Sequence, residues 1–311
     1  MAVLAKIQEL LDNAAILKQK LTAVNFKPNQ TNIREALAIM TAKYMTDIDY
    51  TVFAIDDTVL NGFYPVPVRT YVPNLTKPLP VAVFIHGGGH MAGGISVYDG
   101  IVRKLAKTTG HIIVSVDYRL APEFAYPTGL EDCKAVVLNL FKVLDERKIS
   151  YTNKQLTLIG DSAGGALCAS IAMDKEFVAT NLITRQVLVY PSLDYSCSLP
   201  STDKFAEGYL LEKVKMEFYF KSYIQNSIAP KEISPLHNEF YANMPETLVI
   251  VAENDPLHDE GVLYHQYLTQ VGVNSELLEV PGVIHAYLML ENLCPDECSN
   301  TYQEIADFLA K

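Results

Sequence analysis

The chain has 311 residues, a formal net charge of −11, 49% hydrophobic residues and 20% charged residues, which is the composition of an ordinary soluble globular protein. This length predicts one large domain, or one domain with an inserted segment. The acidic balance and the lack of a dense lysine and arginine block argue against nucleic-acid binding and favour a small uncharged or cationic substrate.

Residues 1–45 are predicted to be helical. In residues 1–21 apolar side chains recur at helical spacing, with charged residues between them, so an amphipathic helix is favoured over a secretion signal. We expect this helix to pack on its own protein rather than on a membrane surface. No apolar run is long enough to cross a bilayer, so stable membrane insertion is not expected and a cytoplasmic location is favoured.

Strands and helices alternate further along the chain. Residues 48–80 are predicted to form strands and turns with prolines as breakers, and the last helix is predicted to open with a capping box at Thr301 and Glu304. Such an alternation predicts an α/β fold with a mainly parallel central sheet and helices on both faces. The predicted strands are 81–85, 112–116, 156–159, 186–190, 247–252 and 276–280, and the predicted helices between them are 131–144 and about 164–173.

Residues 195–235 interrupt this alternation and are rich in aromatic side chains. The segment is predicted either to cap an apolar pocket or to contribute ordinary core helices, and the sequence favours neither.

A candidate nucleophile lies in the segment Gly-Asp-Ser-Ala-Gly at residues 160–164. The pattern matches the G-x-S-x-G elbow, in which a sharp turn between a strand and a helix presents a serine. A predicted strand precedes Ser162 and a helix rich in small residues follows it, which favours this interpretation. The alternative is a helix-capping serine in a glycine turn.

A glycine run, His-Gly-Gly-Gly at residues 86–89, follows the predicted strand 81–85. Backbone N–H groups fixed beside a reacting carbonyl stabilise the negative charge that acyl transfer develops. We predict an oxyanion hole built from the N–H groups of Gly88, Gly89 and Ala163. A phosphate-binding loop is disfavoured because no Lys-Ser or Lys-Thr pair follows, and His86 is predicted to support the loop rather than to act as a base.

A serine nucleophile needs a base, and the base needs an orienting carboxylate. In hydrolases built around a G-x-S-x-G elbow, the three residues follow in the chain order nucleophile, acid, histidine. Asp255 and His285 each follow a predicted late strand, so we predict the triad Ser162, Asp255 and His285. The weaker candidates are Glu253, Asp259 and Glu260 for the acid and His258, His265, His111 and His237 for the base.

The five cysteines are an odd count in a long chain, which does not indicate a disulfide framework. Cys294 and Cys298 are the one close pair. Since no second Cys/His pair has zinc-site spacing, we predict two unpaired thiols near the surface and no metal site.

Together these motifs resemble the hormone-sensitive-lipase-like esterases of the α/β-hydrolase fold, over residues 68 to 290. The resemblance rests on four blocks in the family's order: the glycine run at 86–89, the structural turn Asp-Tyr-Arg-Leu-Ala-Pro-Glu at 117–123, the elbow at 160–165 and the acid motif Asp-Pro-Leu-His-Asp-Glu at 255–260. His90, His258 and the Ala286-Tyr287 pair depart from the family pattern, which affects the expected substrate preference more than the expected activity.

The resemblance implies a helical cap made of residues 1–45 and 195–235 on a core made of 46–194 and 236–311. It also implies a carboxylesterase for short- to medium-chain esters that needs no metal or organic cofactor, and dimers in many members. Two alternatives stay open. One is an amide hydrolase with the same triad, and the other is a ligand-binding receptor like the gibberellin receptors, which lose the histidine that His285 supplies here.

Overall fold

The computed structural model describes residues 2–46, 48–225 and 228–311. A sheet of eight strands forms its centre, in the order β1-β2-β4-β3-β5-β6-β7-β8. Strands β3 to β8 run parallel to one another, whereas β2 pairs antiparallel with both β1 and β4. The strands are β1 (Phe53–Asn61), β2 (Tyr64–Val72), β3 (Leu79–Ile85), β4 (Ile112–Val116), β5 (Tyr151–Asp161), β6 (Ile183–Val189), β7 (Glu246–Asn254) and β8 (Ser275–Ile284).

Helices connect the parallel strands, as parallel strands require. Two 3₁₀ turns, at Pro235–His237 and Tyr287–Leu293, accompany them. The α-helices are α1 (Ala5–Ala23), α2 (Gln30–Tyr44), α3 (Ile95–Thr109), α4 (Thr128–Glu146), α5 (Ala163–Ala172), α6 (Lys175–Thr180), α7 (Pro200–Lys204), α8 (Lys213–Ile224), α9 (Pro230–Ile233), α10 (His258–Gln270) and α11 (Pro295–Ala310).

The core is divided by the sheet into two apolar layers. In β3, Val81, Val83 and Ile85 contribute to the layer that contains α4, α5 and α10, whereas Ala82 and Phe84 contribute to the layer that contains α3 and α11. This period of two is the pattern of a strand buried on both faces. The predicted mainly parallel sheet with helices on both faces is therefore confirmed.

Several strands extend beyond the predicted limits. β5 begins at Tyr151 rather than at residue 156, because residues 152–155 are exposed and polar and give no apolar signal. β8 continues through Pro281 and Gly282 to Ile284. It is an edge strand, where a proline costs no internal hydrogen bond.

The predicted capping box at Thr301 is wrong. Helix α11 begins at Pro295, at the first helical position where the missing N–H of proline costs nothing. Thr301 lies inside the helix and is fully buried. Its hydroxyl donates to the carbonyl oxygen of Glu297 at 2.8 Å and lies 2.6 Å from the Tyr287 hydroxyl.

Cys294 and Cys298 are unpaired, as predicted, but the expected position near the surface is wrong. Both are buried, with 1% and 0% exposure, and their sulfur atoms lie 3.8 Å apart. They pack beneath the 3₁₀ turn Tyr287–Leu293, and the carbonyl oxygen of Tyr287 lies 3.5–3.6 Å from both sulfurs. The i, i+4 spacing of the two cysteines predicts that their sulfur atoms lie close together. Their burial depends on the 3₁₀ turn, which no sequence pattern predicts.

Helix α1 and the residues before it lie against the end of β8 and against the 195–235 segment. The first half of α1 buries Ile7 and Leu11, and Leu4 donates its N–H to the carbonyl oxygen of Gly282 at 2.9 Å. Further along α1, Lys18 forms an ion pair of 2.8 Å with Glu212. No helix in the described part of the chain is both long and apolar enough to cross a membrane.

The 195–235 segment contains the short helices α7 and α9 and the longer α8. Many of its apolar residues belong to a separate cluster, whereas Tyr209 and Leu210 pack against the layer that contains α3 and α11. In the separate cluster, Met216, Phe220 and Tyr223 pack with Ala166 at the start of α5 and Leu257 in the loop after β7. The segment therefore lies over the carboxyl ends of the parallel strands, the edge at which sheets of this kind bind ligands.

Candidate active site

Ser162 occupies the turn between β5 and α5. Its backbone has φ 51° and ψ −120°, a conformation that non-glycine residues seldom adopt and that marks functional sites. The neighbouring glycines make the turn possible, because a Cβ atom on Gly164 would lie 2.0 Å from the carbonyl oxygen of Ile85 and one on Gly160 would lie 2.5 Å from that of Gly164. The Ser162 N–H donates to the Val189 carbonyl at 2.9 Å, which fixes the turn on β6.

The structure brings the three predicted triad side chains together. The Ser162 Oγ lies 2.9 Å from Nε2 of His285, and Nδ1 of His285 lies 2.7 Å from Oδ2 of Asp255. The other carboxylate oxygen of Asp255 accepts the N–H of Leu257 at 2.8 Å. The solvent-exposed fraction decreases from the nucleophile to the acid, from 8% for Ser162 to 6% for His285 and 0% for Asp255. A nucleophile, a base and an orienting carboxylate arranged in this way are equipped for acyl transfer.

Residues next to Asp255 hold the loop that carries His285. The Glu253 carboxylate accepts the N–H of Gly282 at 2.8 Å, and the Asn254 side-chain amide donates to the carbonyl oxygen of Val283 at 3.3 Å. Glu253, a weaker candidate for the acid, therefore binds backbone instead of the imidazole. The ends of β7 and β8 are locked to each other where both the acid and the base emerge.

The glycine run forms a loop beside the nucleophile. Gly88 and Gly89 have φ values of 108° and 65°, which other residues adopt only with strain. Ala163 is the first residue of α5, where helical N–H groups have no partner inside the helix. Among the described residues, none of these three N–H groups donates a hydrogen bond, so all three are available to a ligand oxygen.

His86 and His90 support this loop from inside the protein. The His86 ring stacks on Tyr118 with centroids 4.4 Å apart, and its Nδ1 lies 2.7 Å from the carbonyl oxygen of Gly87. The His90 ring stacks on Tyr223, with the ring centroids 3.8 Å apart. Burial lowers the pKa of both imidazoles, that of His90 to about 3. Both rings are therefore neutral packing elements at ordinary pH.

Helix α8 covers the glycine loop. A Cβ atom on Gly89 would lie 2.6 Å from the ring of Tyr219, so this ring rests directly on the backbone of Gly89. Burial raises the pKa of Tyr219 to about 12, so its hydroxyl stays protonated. The aromatic 195–235 segment thus contributes a wall of the site.

The other histidines considered for the base contact partners away from Ser162. His258 and His237 pair with acidic side chains, His265 lies beside the Ser275 hydroxyl, and His111 lies beside a backbone carbonyl. Asp259 accepts the N–H of Ser201 at 2.9 Å. Within the described ranges, no group of three or more His, Cys, Asp or Glu side chains is placed to hold a metal ion.

Two contacts of the site were missed by the sequence reasoning. Glu260, a weaker candidate for the triad acid, is fully buried and accepts the N–H groups of Leu193 and Asp194, at 2.8 Å for the latter. Burial raises its pKa well above the usual range. Tyr190 lies edge-on to the His285 imidazole, with centroids 5.0 Å apart. No spacing rule predicts either contact, because each depends on how strands pair.

The chain is similar in sequence to a known protein family and to characterised relatives. A family model described as the alpha/beta hydrolase fold matches residues 82–289. An ethyl acetate hydrolase from Pseudomonas putida is 33% identical over 242 residues, covering 74% of this chain and 74% of the relative. The carboxylesterase NlhH of Mycobacterium tuberculosis is 31% identical over 253 residues, covering 79% of this chain and 78% of the relative.

Solved structures agree with this relationship. An esterase from Pyrobaculum calidifontis superposes with a TM-score of 0.84 at 28% identity, covering 99% of this chain and 98% of that one. A thermostable esterase from Pseudomonas putida superposes with a TM-score of 0.87 at 26% identity, covering 99% and 97%. The family model alone spans more than half of the chain, and the strand order, the elbow and the glycine loop agree with it. The chain therefore belongs to the α/β-hydrolase family, in its hormone-sensitive-lipase-like esterase group.

Proposed function

We propose that this protein is a serine carboxylesterase that hydrolyses short- to medium-chain carboxylic esters through an acyl-enzyme on Ser162. One observation carries the proposal: the continuous hydrogen-bonded line from Ser162 through His285 to Asp255, with contacts of 2.9 and 2.7 Å. The names of the relatives, an ethyl acetate hydrolase and a carboxylesterase, support the choice of esters as the substrate class.

In the first half of the reaction the Ser162 Oγ attacks the ester carbonyl carbon while Nε2 of His285 takes the hydroxyl proton. The Asp255 carboxylate keeps the other proton of His285 on Nδ1 and stabilises the imidazolium that forms. The tetrahedral intermediate then collapses, His285 gives its proton to the departing alkoxide, and the alcohol leaves. The acyl group remains on Ser162.

In the second half a water molecule attacks the acyl carbon and gives a proton to His285. Collapse of the second intermediate breaks the bond to Oγ, which recovers its proton from His285, and the carboxylic acid leaves. In both halves the negative charge on the carbonyl oxygen is received by the free N–H groups of Gly88, Gly89 and Ala163. Donors fixed in advance need no reorganisation during the reaction, and one such donor is worth about 10²–10³ in rate.

The division of the chain is part of the same proposal. Residues 1–45 and 195–235 form a cap on the core of residues 46–194 and 236–311. The ion pair between Lys18 and Glu212 joins the two cap segments, and Tyr219 rests on Gly89 in the core. A homodimer remains a prediction of the family resemblance, and sedimentation equilibrium tests it.

An amide hydrolase with the same triad is the second candidate. A deacetylase or peptidase would use the same arrangement of side chains, so geometry alone does not separate the two chemistries. Turnover of phenyl acetate and of its matched amide, acetanilide, separates them. We expect the ester to be hydrolysed and the amide to be left intact.

A receptor function on the hydrolase fold makes the opposite prediction for the same assay. The aligned imidazole of His285 is what such a receptor would lack, so the structure favours turnover over retention of a ligand. A ligand that binds tightly and is never converted would favour the receptor.

The decisive variant is Ser162→Ala, tested on p-nitrophenyl esters of increasing acyl length. We expect kcat to fall by about 10⁴-fold or more, since loss of a nucleophile removes the covalent pathway, while the circular dichroism spectrum stays that of the wild type. Wild-type activity in a folded Ser162→Ala protein would overturn the proposal.

A further inference from the structure

Asp161, the residue before the nucleophile, is a buried acid that the proposed reaction does not use. It ends β5 and is 3% exposed. Its Oδ1 accepts the backbone N–H of Gly87 at 2.7 Å, and its Oδ2 accepts the hydroxyl of Tyr98 at 3.0 Å. Each carboxylate oxygen therefore has a donor, one from the glycine loop and one from α3.

The glycine loop rests directly on this carboxylate. A Cβ atom on Gly87 would lie 2.7 Å from Oδ2 of Asp161 and 3.0 Å from Cβ of Ser162, so no side chain fits between them. Gly87 immediately precedes Gly88 and Gly89, whose N–H groups are free. A shift of the Gly87 peptide would therefore move both N–H groups relative to Ser162.

We propose that Asp161 is a positioning residue whose ionised carboxylate holds Gly87, and through Gly87 the N–H groups of Gly88 and Gly89, in the geometry that receives the oxyanion. This inference rests on the proposed acyl transfer at Ser162. A hydrogen bond to an ionised acceptor is about twice as strong as a neutral one. The charge on Asp161 therefore fixes the loop more firmly than a neutral acceptor would.

Tyr98 orients the carboxylate from the other side. It is 1% exposed and packs beside the rings of Phe84 and His86, at centroid distances of 5.7 and 5.4 Å. Burial raises the pKa of Tyr98 well above its usual range, so its hydroxyl always has a proton to donate. The hydrogen bond from Tyr98 in turn favours the ionised form of Asp161.

This arrangement gives the loop a dependence on pH. Burial raises the pKa of Asp161 to about 6, although the bonds from Gly87 and Tyr98 and the nearby His285 oppose the shift. Among the described groups that interact with Asp161, the tyrosines and the cysteine have raised pKa values and stay neutral, whereas the basic side chain of His285 lowers the pKa of Asp161. The neutral groups are Tyr98, Tyr118, Tyr190 and Tyr302, together with Cys168.

Protonation of Asp161 should therefore weaken the bond to Gly87 and reduce oxyanion stabilisation. The low-pH loss of kcat/KM then contains an ionisation of Asp161. The weakened loop destabilises the tetrahedral intermediate more than it destabilises the bound substrate. We therefore expect protonation of Asp161 to lower kcat and to leave KM nearly unchanged.

The test measures kcat and KM on p-nitrophenyl acetate from pH 5 to pH 9 for Asp161→Ala, Asp161→Asn and Tyr98→Phe. Tyr264→Phe is the matched control, because Tyr264 is also fully buried and its hydroxyl also forms one side-chain hydrogen bond, with Gln186 at 3.2 Å. Ser162→Ala is measured alongside.

Asp161→Ala leaves Gly87 without its acceptor, and we expect kcat at pH 8 to fall by about 10²-fold with little change in KM. Asp161→Asn keeps a neutral acceptor, which holds Gly87 less firmly than the carboxylate does, so it should recover only part of that loss and show one ionisation fewer on the acid side. Tyr98→Phe removes a hydrogen bond that favours the ionised form of Asp161. The acid limb of the pH profile, the range in which kcat falls as the pH is lowered, should therefore move to higher pH in this variant. Tyr264→Phe should leave the limb in place.

The inference fails if Asp161→Ala keeps the wild-type kcat, or if Tyr98→Phe moves the acid limb no further than Tyr264→Phe does. Should Asp161→Ala not fold, the pH profiles of the other two variants decide the question alone. An active Ser162→Ala protein would instead overturn the esterase mechanism. Full activity in Asp161→Ala beside an inactive Ser162→Ala would overturn the positioning role only.

Discussion

Among single residues, Asp255 acts in the proposed mechanism through His285 and does not touch the substrate. Its Oδ2 is 2.7 Å from Nδ1 of His285, and its Oδ1 is engaged by the N–H of Leu257. The two bonds fix the carboxylate in one orientation. The imidazole is then held in the tautomer that leaves Nε2 free to take a proton from Ser162.

Asp255→Asn tests this role. Asparagine can still accept from Leu257, but its amide group presents N–H where the imidazole also has N–H, which favours the wrong tautomer. We expect kcat to fall by about 10³–10⁴-fold with a nearly unchanged structure. Steady-state kinetics with a circular dichroism control measures this, and a loss below tenfold would argue that another acid serves His285.

The elbow and the glycine loop set requirements at the scale of elements. Strand β3 and helix α5 approach so closely that Gly164 has no room for a side chain, since a Cβ atom would lie 2.0 Å from the Ile85 carbonyl oxygen. Backbone cannot move away as a flexible side chain can. Close approach of these two elements is therefore what places Ser162 beside the loop that follows β3.

Gly164→Ala should prevent this approach. We expect a loss of stability of at least about 3 kcal/mol, or no folded protein, because the added methyl meets backbone. Gly110→Ala is the matched control: Gly110 has φ +68° and nothing within 4 Å of its added Cβ, so only about 1 kcal/mol of backbone strain is expected. Equal effects of the two substitutions, measured by urea unfolding, would contradict this account.

Helix α2 holds the far side of the glycine loop through Arg34. Its guanidinium donates to the carbonyl oxygens of Met91 and Ala121, at 2.8 and 3.1 Å, and forms an ion pair with Glu123 at 2.6 Å. The N–H of Met91 in turn donates to the carbonyl oxygen of Gly88 at 3.1 Å. Helix α2 is thus connected to the candidate oxyanion hole by two hydrogen bonds in series.

Arg34→Ala should lower both stability, by about 1–3 kcal/mol, and kcat, because Met91 loses its donor. Arg34→Lys should recover part of each loss. Lys175→Ala serves as the control, since Lys175 and Glu239 form an ion pair whose side chains are 73% and 71% exposed, and such pairs contribute little. Thermal unfolding and ester turnover are measured together, and equal effects of Arg34→Ala and Lys175→Ala would refute the connection.

How far the sequence predicts the structure also differs between elements. The bounds of β4 match the predicted strand to the residue, because all five of its positions are buried and all but Ser115 are apolar. The exposed start of β5 and the proline-containing end of β8 were missed, since neither carries that signal. The start of α11 was misplaced because Thr301 and Glu304 mimic a cap, although Pro295 offered the better start signal.

Within the site, the sequence predicted the residues that lie in motifs, and the structure brings Ser162, Asp255 and His285 together as expected. It did not predict the contacts between distant segments. The bond from Tyr98 to Asp161 spans 63 residues and the bond from Asp194 to Glu260 spans 66. Such contacts depend on the pairing of β3, β5, β6 and β7, which no single stretch of sequence encodes.

At the scale of the whole molecule, the buried charge of Asp161 connects stability with pH. A carboxyl whose pKa is raised by folding, here from 3.8 to about 6, favours the folded state when protonated. The associated stability is fully present below pH 4 and is lost as the pH rises through 6. The shift of about two pKa units corresponds to roughly 3 kcal/mol at pH 7.

Asp161→Asn should therefore be more stable than the wild type at pH 8, and the difference should shrink toward pH 5. Urea unfolding at several pH values measures it, with the m-value as a check that the unfolding transition is unchanged. A constant difference across this pH range would show that Asp161 does not change its charge there. If Asp161→Asn is more stable than the wild type but differs from it in the pH dependence of activity, the charged carboxylate of Asp161 lowers stability while it supports the glycine loop.

Covalent labelling tests the central claim, that Ser162 receives the acyl group, most directly. The protein is treated with a fluorophosphonate, which bonds to an activated serine, and the modified peptide is identified by mass spectrometry. We expect one adduct per chain, on Ser162, none in Ser162→Ala, and much slower labelling in Asp255→Asn. An adduct on another residue, or equal labelling of Ser162→Ala, would contradict the account.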